Sequence, residues 1–207
     1  ETDPLGRVTR TGYDGHSLRV ADLRLPDGSR WQANYDHFGR LLATRDPLGR
    51  SEAYEYDDAP SPQPLAHIDA RGGRQRMVWD RRGLLTAYTD CSGKTTRYDY
   101  DLDGHLAAVT DALGHITRYQ RRRTGEALLV TLPDGSTEQY AYDAAGLLVE
   151  QQARGRVQRW LRNSRGQVLD ATDPAQRHLR YRYDSQGRLV ELATDSDTRY
   201  RFTYDHG

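Results

Sequence analysis

Asp99, Asp101, Asp103 and Gly104 stand in the order D-x-D-x-D-G that opens a calcium-binding loop, where alternate carboxylates converge on a hard cation. Such a loop closes with a bidentate glutamate at its twelfth position, which here is Thr110. Seven histidines are present (His16, His37, His67, His105, His115, His178 and His206), and none forms the H-x-x-x-H or H-E-x-x-H spacing of a helical zinc site. Only a zinc site assembled across neighbouring strands is left open. Cys91 is the single cysteine, so no internal disulfide exists, and no histidine adjoins it to make it a nucleophile. Arg118, Arg121, Arg122 and Arg123 could cradle a phosphate, but a solvated face is the better account of them. The glycines follow neither G-x-G-x-x-G nor G-x-x-x-x-G-K-[ST], and no G-x-S-x-G elbow occurs.

These residues are held by a repeat. The unit reads Y-x-Y-D-x-x-G-R-L, then a few mixed residues, then a second turn D-x-x-G; its clearest copy starts at Tyr98 and ends at Gly114. First-turn glycines fall at Gly39, Gly83, Gly104, Gly125, Gly146, Gly166 and Gly187, and from Gly83 the steps are 21, 21, 21, 20 and 21. Second-turn glycines fall at Gly6, Gly28, Gly49, Gly72, Gly93, Gly114 and Gly135. Gly155 then arrives one residue early, and Gln176 stands where the next is due. A fixed period of this length decides the architecture before any motif does.

The pattern places a tyrosine pair at Tyr98 and Tyr100, at Tyr140 and Tyr142 and at Tyr181 and Tyr183. Spacing of i and i+2 puts both rings on one face of a strand. Tyr, Thr, Val and Leu fill the segments, and Gly, Asp, Pro and Ser fill the turns, which predicts antiparallel hairpins laid side by side. The structural repeat positions are Tyr35, Asp36, Gly39, Gly83, Tyr98, Tyr100, Asp101, Gly104, Tyr140, Tyr142, Asp143, Gly146, Tyr181, Tyr183, Asp184 and Gly187. Aspartate recurs at equivalent turns because its carboxylate accepts from its own backbone two residues on, so these acids are read as structural. The Asp-Pro pairs at Asp3, Asp46 and Asp173 have the same explanation.

Composition agrees with a sheet of unusual build. The chain has 207 residues, 36% of them hydrophobic, with 14 Tyr, 3 Trp, 2 Phe and 1 Met, and a mean hydropathy of −0.91. A compact two-layer sandwich would carry a richer core. A single long curved sheet, each face covered by stacked Tyr and by Arg stems, reconciles the counts. Thirty basic residues balance thirty acidic ones, so neither nucleic acid nor an anionic membrane is an expected partner. No apolar stretch is long enough for a spanning helix.

The tandem Y-x-Y-D-x-x-G-R-L and D-P-L-G units resemble the YD repeats of Rhs proteins, a family that includes bacterial polymorphic toxins, and they run through nearly all of the chain. The resemblance implies an all-β fold in which hairpins form part of a long spiralling antiparallel sheet, a hollow shell around a C-terminal toxin. Related shells occur in the C components of insecticidal Tc toxins and in teneurins. It also implies a secreted or delivered effector, type VI secretion among the routes, with display at the bacterial surface as the alternative.

Residues 1–207 are then read as one YD-repeat region, a fragment of a larger shell that starts and stops in mid-repeat. An irregular Pro-rich insertion lies at 57–66, where Pro60 takes a glycine position. The family's autoprotease signature and a separate toxin domain do not occur before Gly207. The expected role is therefore non-enzymatic wall, with no cofactor and no metal. Its partners would be the other repeats of the parent chain and the enclosed toxin, with secretion machinery or a chaperone as further implied partners. The alternative is a carbohydrate-binding or adhesion module built from the same repeats.

Overall fold

The computed structural model describes residues 1–15, 18–196 and 198–204. His16, His206 and the closing Asp205 and Gly207 lie outside the described residues. The chain divides into two compact units, Glu1–Asp99 with Thr110–Gly114, and Tyr100–Val109 with His115–Gly207.

The first unit carries β1 (Arg10–Tyr13), β2 (Val20–Arg24), β3 (Arg30–Tyr35), β4 (Leu41–Arg45), β5 (Ser51–Glu55), β6 (Ala66–Ile68), β7 (Arg74–Trp79), β8 (Leu85–Thr89) and β9 (Thr95–Tyr100). The second carries β10 (Leu106–Thr110), β11 (Ile116–Arg121), β12 (Ala127–Thr131), β13 (Thr137–Tyr142), β14 (Leu148–Ala153), β15 (Arg156–Arg162), β16 (Val168–Thr172), β17 (His178–Tyr183), β18 (Leu189–Thr194) and β19 (Arg199–Arg201). Within each unit consecutive strands pair antiparallel, as in β3 with β4 and β17 with β18. The fold is all-β, as the repeat predicts.

Two kinds of hairpin alternate. In the second-turn hairpins the register runs unbroken, as between β12 and β13, where Leu129, Val130 and Thr131 face Gln139, Glu138 and Thr137. In the first-turn hairpins one residue of the returning strand is extra. Ala141 faces Glu150 and Tyr142 faces Leu148, which leaves Val149 as a bulge. The same step leaves Leu42, Thr86, Leu128, Leu169 and Val190 extra. A bulge at one place in each of these six hairpins bends and twists the strand there in the same sense, whereas β5 and β6, which flank the Pro-rich insertion, pair in unbroken register.

The two faces differ, which the composition alone did not show. On β17, Tyr181 and Tyr183 are half-buried while Arg180 and Arg182 are exposed. On β7, Met77 and Trp79 are half-buried while Arg76 and Val78 are exposed. On β17 tyrosine and arginine are thus sorted onto opposite faces instead of sharing both. Among the described residues only Gly39, Ala66, Val130, Ala171 and Thr172 are buried. Half-burial is therefore the rule within each unit. Hydrophobic burial is spread thinly, and the backbone ladder and turns hold register.

Candidate functional site

What each repeat offers its neighbour begins at the first turn. Asp143 N donates to Leu147 O at 3.0 Å, and Gly146 N donates to Asp143 O at 3.1 Å. The Asp143 carboxylate accepts from the backbone N of Ala145 and of Leu147, both at 2.9 Å. Gly146 closes the turn at φ 80°, the left-handed region that glycine enters without a steric penalty. Asp36, Asp101 and Asp184 accept from Arg40 N, His105 N and Arg188 N at 2.8, 2.8 and 2.9 Å. For Asp101 and Asp184 that backbone donor is the largest cause holding the carboxyl below the usual carboxylate range.

First-turn glycines carry a second constraint. A β-carbon at Gly83 would stand 2.7 Å from Gln63, one at Gly125 3.1 Å from His105, one at Gly166 2.9 Å from Leu147 and one at Gly187 3.1 Å from Gln167. At Gly125, Gly166 and Gly187 the side chain that follows one turn glycine thus lies under the next, and Gln167 Nε2 also donates to Gly187 O at 2.8 Å. By contrast, nothing lies within 4 Å of such a carbon at Gly6, Gly28, Gly72, Gly93, Gly114, Gly135 or Gly155. The first turns at Gly83, Gly125, Gly166 and Gly187 are therefore stacked, and the second turns are open except at Gly49, where Arg45 Nη2 stands 3.5 Å away. Gly39 and Gly104 close their turns at φ 76° and 88°.

The second tyrosine position of the repeat is a donor position at Tyr35, Tyr56 and Tyr204. Tyr35 Oη donates to Val20 O at 3.0 Å, Tyr56 Oη to Leu41 O at 3.0 Å and Tyr204 Oη to Leu189 O at 2.8 Å. Trp79 Nε1 makes the corresponding bond to Pro64 O at 2.8 Å. Arg121 and Arg162 also stand in this place. Their Nε atoms donate to Leu106 O and Leu148 O at 2.8 and 3.3 Å, and each Nη1 donates to the next turn's carbonyl, Gly125 O or Gly166 O, at 2.9 Å. Arg121 is therefore not part of a solvated cationic face. The signal available in the sequence was its register with tyrosine.

Most of the remaining tyrosines are half-buried, and Tyr13 and Tyr200 are exposed. Tyr98 and Tyr100 are half-buried on β9. Tyr140 donates to Glu138 Oε2 at 2.6 Å, and that bond, with burial, pushes its phenol up to about 12. Tyr142 has the Arg122 guanidinium 5.9 Å from its ring centroid. Tyr181 and Tyr183 face Leu192 and Leu189. Burial is the largest cause raising the Tyr183 phenol.

At the Pro-rich insertion the side chain of Arg40 is 11% exposed. Its Nη1 donates to Ala59 O at 2.7 Å and Ser61 O at 2.9 Å, its Nη2 to Asp57 O at 3.1 Å and its Nε to Asp36 Oδ2 at 2.6 Å. The Tyr56 ring lies 4.5 Å from the guanidinium carbon. Arg188 makes the equivalent pair with Asp184 at 2.8 Å and lies 4.7 Å from the Tyr204 ring. The loop is held by donors that its repeat already possesses.

Of the residues that suggested chemistry, His37 packs on Phe38 at 3.8 Å between ring centroids. His67 stacks on Tyr54 at 4.7 Å. His178 Nδ1 lies 2.8 Å from Asp170 Oδ1. His105, expected in solvent, is half-buried with Nδ1 3.6 Å from Asp101 Oδ2. Asp103 faces Arg123 at 3.9 Å, and Cys91 is exposed. Among the described residues no three His, Cys, Asp or Glu side chains are placed to hold a metal ion. No helix is long and apolar enough to cross a membrane, a statement that does not bear on β-barrels.

Comparison with known proteins follows this geometry. The teneurin YD-shell family model matches residues 76–207 and the RHS repeat model residues 35–74. Double-stranded DNA deaminase toxin A of Burkholderia cenocepacia (strain H111) is 52% identical over 135 residues, 65% of this chain and 10% of that protein. Toxin protein Tse5 of Pseudomonas aeruginosa is 34% identical over 109 residues, 42% of this chain and 8% of that protein. The chain thus spans about a tenth or less of the length of these curated relatives. A crystal structure of TcdB2-TccC3-Cdc42 superposes with a TM-score of 0.73 at 17% identity, over 96% of this chain and 13% of that one, which speaks to fold. By the model that spans its larger part, this chain belongs to the teneurin YD-shell family, within the Rhs-repeat proteins.

Proposed function

We propose that this chain is a section of wall in the shell of a bacterial polymorphic toxin, that it is not itself catalytic, and that the shell encloses a toxin domain carried elsewhere in the same longer chain until delivery. Residues 1–207 would form one stretch of that wall, with 57–66 as its irregular loop. The observation that carries the reading is where the side chains are spent. Turn acids tie their own turns together, donor tyrosines and Gln167 beneath a stacked glycine bond to a neighbouring repeat, and what results is strands with two unlike faces. A layer of such strands separates two spaces, and its stability is a sum over neighbouring repeats. The toxins among its relatives support the assignment of cargo. The partners in this reading are the other repeats and the enclosed domain, and the product is a secreted or delivered effector.

Limited trypsin digestion of the full-length parent tests it. The C-terminal domain should survive far longer than the same domain produced alone, and should become sensitive once the shell is opened by denaturant. Cleavage of enclosed and free domains at equal rates would overturn the enclosure.

A further inference from the structure

The stacked turns have one local irregularity on the open side, and it makes a cleft. Hairpin β14–β15 turns on only two residues, Arg154 and Gly155, with φ 50° and 75°, and Ala153 faces Arg156 across the neck. The hairpin that follows turns on three, Pro174, Ala175 and Gln176, with Gln176 N donating to Asp173 O at 2.9 Å. The shortened hairpin is the one residue missing from the repeat at Gly155. Beside it lies a cavity of about 450 Å³ lined by Gln151, Ala153, Arg154, Arg156, Gln158 and Pro174, within the size range of small-molecule sites.

Gln151 faces Gln158 directly, and Ala153 faces Arg156 on the same side of the sheet, so two carboxamides and a guanidinium share one face. Arg154 adds a second guanidinium from a backbone position that favours Asn, Asp or Gly and costs another residue roughly 1–2 kcal/mol. Among the described residues neither Arg154 nor Arg156 makes a hydrogen bond or an ion pair, whereas Arg159 on the opposite face of β15 is paired with Glu150 at 2.7 Å. The nearby acids are otherwise engaged. Asp134 accepts from Ser136 and senses the charge of Arg154, and Glu138 accepts from Tyr140 at 2.6 Å.

We propose that this cleft binds a small hydroxylated carboxylate of the sugar-acid type. The carboxylate would lie between Arg154 and Arg156, which offer paired donors to an oxyanion. Its hydroxyls, each both donor and acceptor, would meet Gln151 and Gln158, whose carboxamides also donate and accept. Pro174 supplies an apolar edge. A simple anion would use half of this arrangement and a neutral sugar the other half. The site stands on its own geometry and does not depend on enclosure of a toxin.

Titration calorimetry of the whole chain with D-glucuronate, D-glucose, acetate and inorganic phosphate tests it. Glucuronate should saturate one site, with the other three at least about tenfold weaker. Arg156→Ala should weaken glucuronate about tenfold or more, and Gln158→Leu should lower the preference over acetate. Arg154→Asn gives a control for folding, since Asn suits the turn: it should raise the melting temperature while weakening binding. No saturation by glucuronate, equal binding of acetate or phosphate, or unchanged binding in Arg154→Asn and Arg156→Ala would each overturn the proposal.

Discussion

Arg121 Nε stands 2.8 Å from the carbonyl oxygen of Leu106, the contact that a tyrosine hydroxyl makes from Tyr56 to Leu41 in another repeat. A planar guanidinium and a phenol share little shape, but each places one donor at the same height above the strand. Replacing Arg121 with alanine removes that bond and the one to Gly125 O, leaving two backbone carbonyls with one partner fewer. Hydrogen bonds from charged groups contribute about 1.5–3 kcal/mol each at most, so Arg121→Ala should lower stability by roughly 2 kcal/mol in urea denaturation. Arg121→Tyr should recover most of that loss. Equal stability of the alanine and tyrosine variants would show that the donor position is immaterial.

Stacking of the first turns separates two glycines with nearly the same backbone angle. Gly135 and Gly166 have φ 80° and 78°, so alanine costs each about the same in backbone strain, roughly 1–2 kcal/mol. The β-carbon at Gly135 meets nothing within 4 Å, and the one at Gly166 comes 2.9 Å from Leu147 Cδ1. Overpacking adds about 1–3 kcal/mol. Thermal melts should therefore rank wild type above Gly135→Ala and Gly135→Ala above Gly166→Ala, and the reverse order of the two variants would refute the stacking argument.

Those glycines also mark how far the sequence could be read. The period, the turns and the all-β class followed from Gly, Asp and Tyr at fixed spacing, because turn chemistry is local and a left-handed φ selects glycine within a few residues. Gln176, at φ 62°, shows that the register holds even where the residue type does not. The bulge at Leu42, Leu128, Val149 and Val190 left no mark, since those residues are ordinary strand formers and the extra residue is absorbed into the repeat length. The grip of Arg40 was also hidden. Its partners are carbonyls 17 to 21 residues away, and a carbonyl has no sequence identity. The cleft beside Arg154 showed in advance only as a glycine arriving one residue early.

The Arg40 grip can be cut without touching the loop. Lysine keeps the positive charge but has one point donor in place of the fork that reaches Asp36 and three loop carbonyls. Both Arg40→Lys and Arg40→Ala should loosen residues 57–65, seen as faster cleavage there by a protease of broad specificity, with alanine the more sensitive. Cleavage unchanged in both variants would mean that the three prolines alone fix the loop.

The turn acids set the response to pH. Asp80, Asp101, Asp173 and Asp184 are each held below the ordinary carboxylate value, first by the backbone N–H of the residue four positions on. A carboxyl whose folded value is depressed adds stability that is present above its unfolded value, near 3.9, and is lost as pH falls through the folded value. Because the same turn recurs, the losses should accumulate, and urea midpoints measured from pH 6 to pH 2 should hold steady at first and then fall steeply below about pH 4. Asparagine already serves at one such turn, where Asn163 Oδ1 accepts from Arg165 N and Gln167 N at 2.9 and 3.0 Å. Asp173→Asn should therefore keep the backbone bonds at neutral pH, lose only the partner of Arg177, and narrow its gap to wild type as pH falls. A gap that stays constant through the acid range would assign the role of Asp173 to its shape alone.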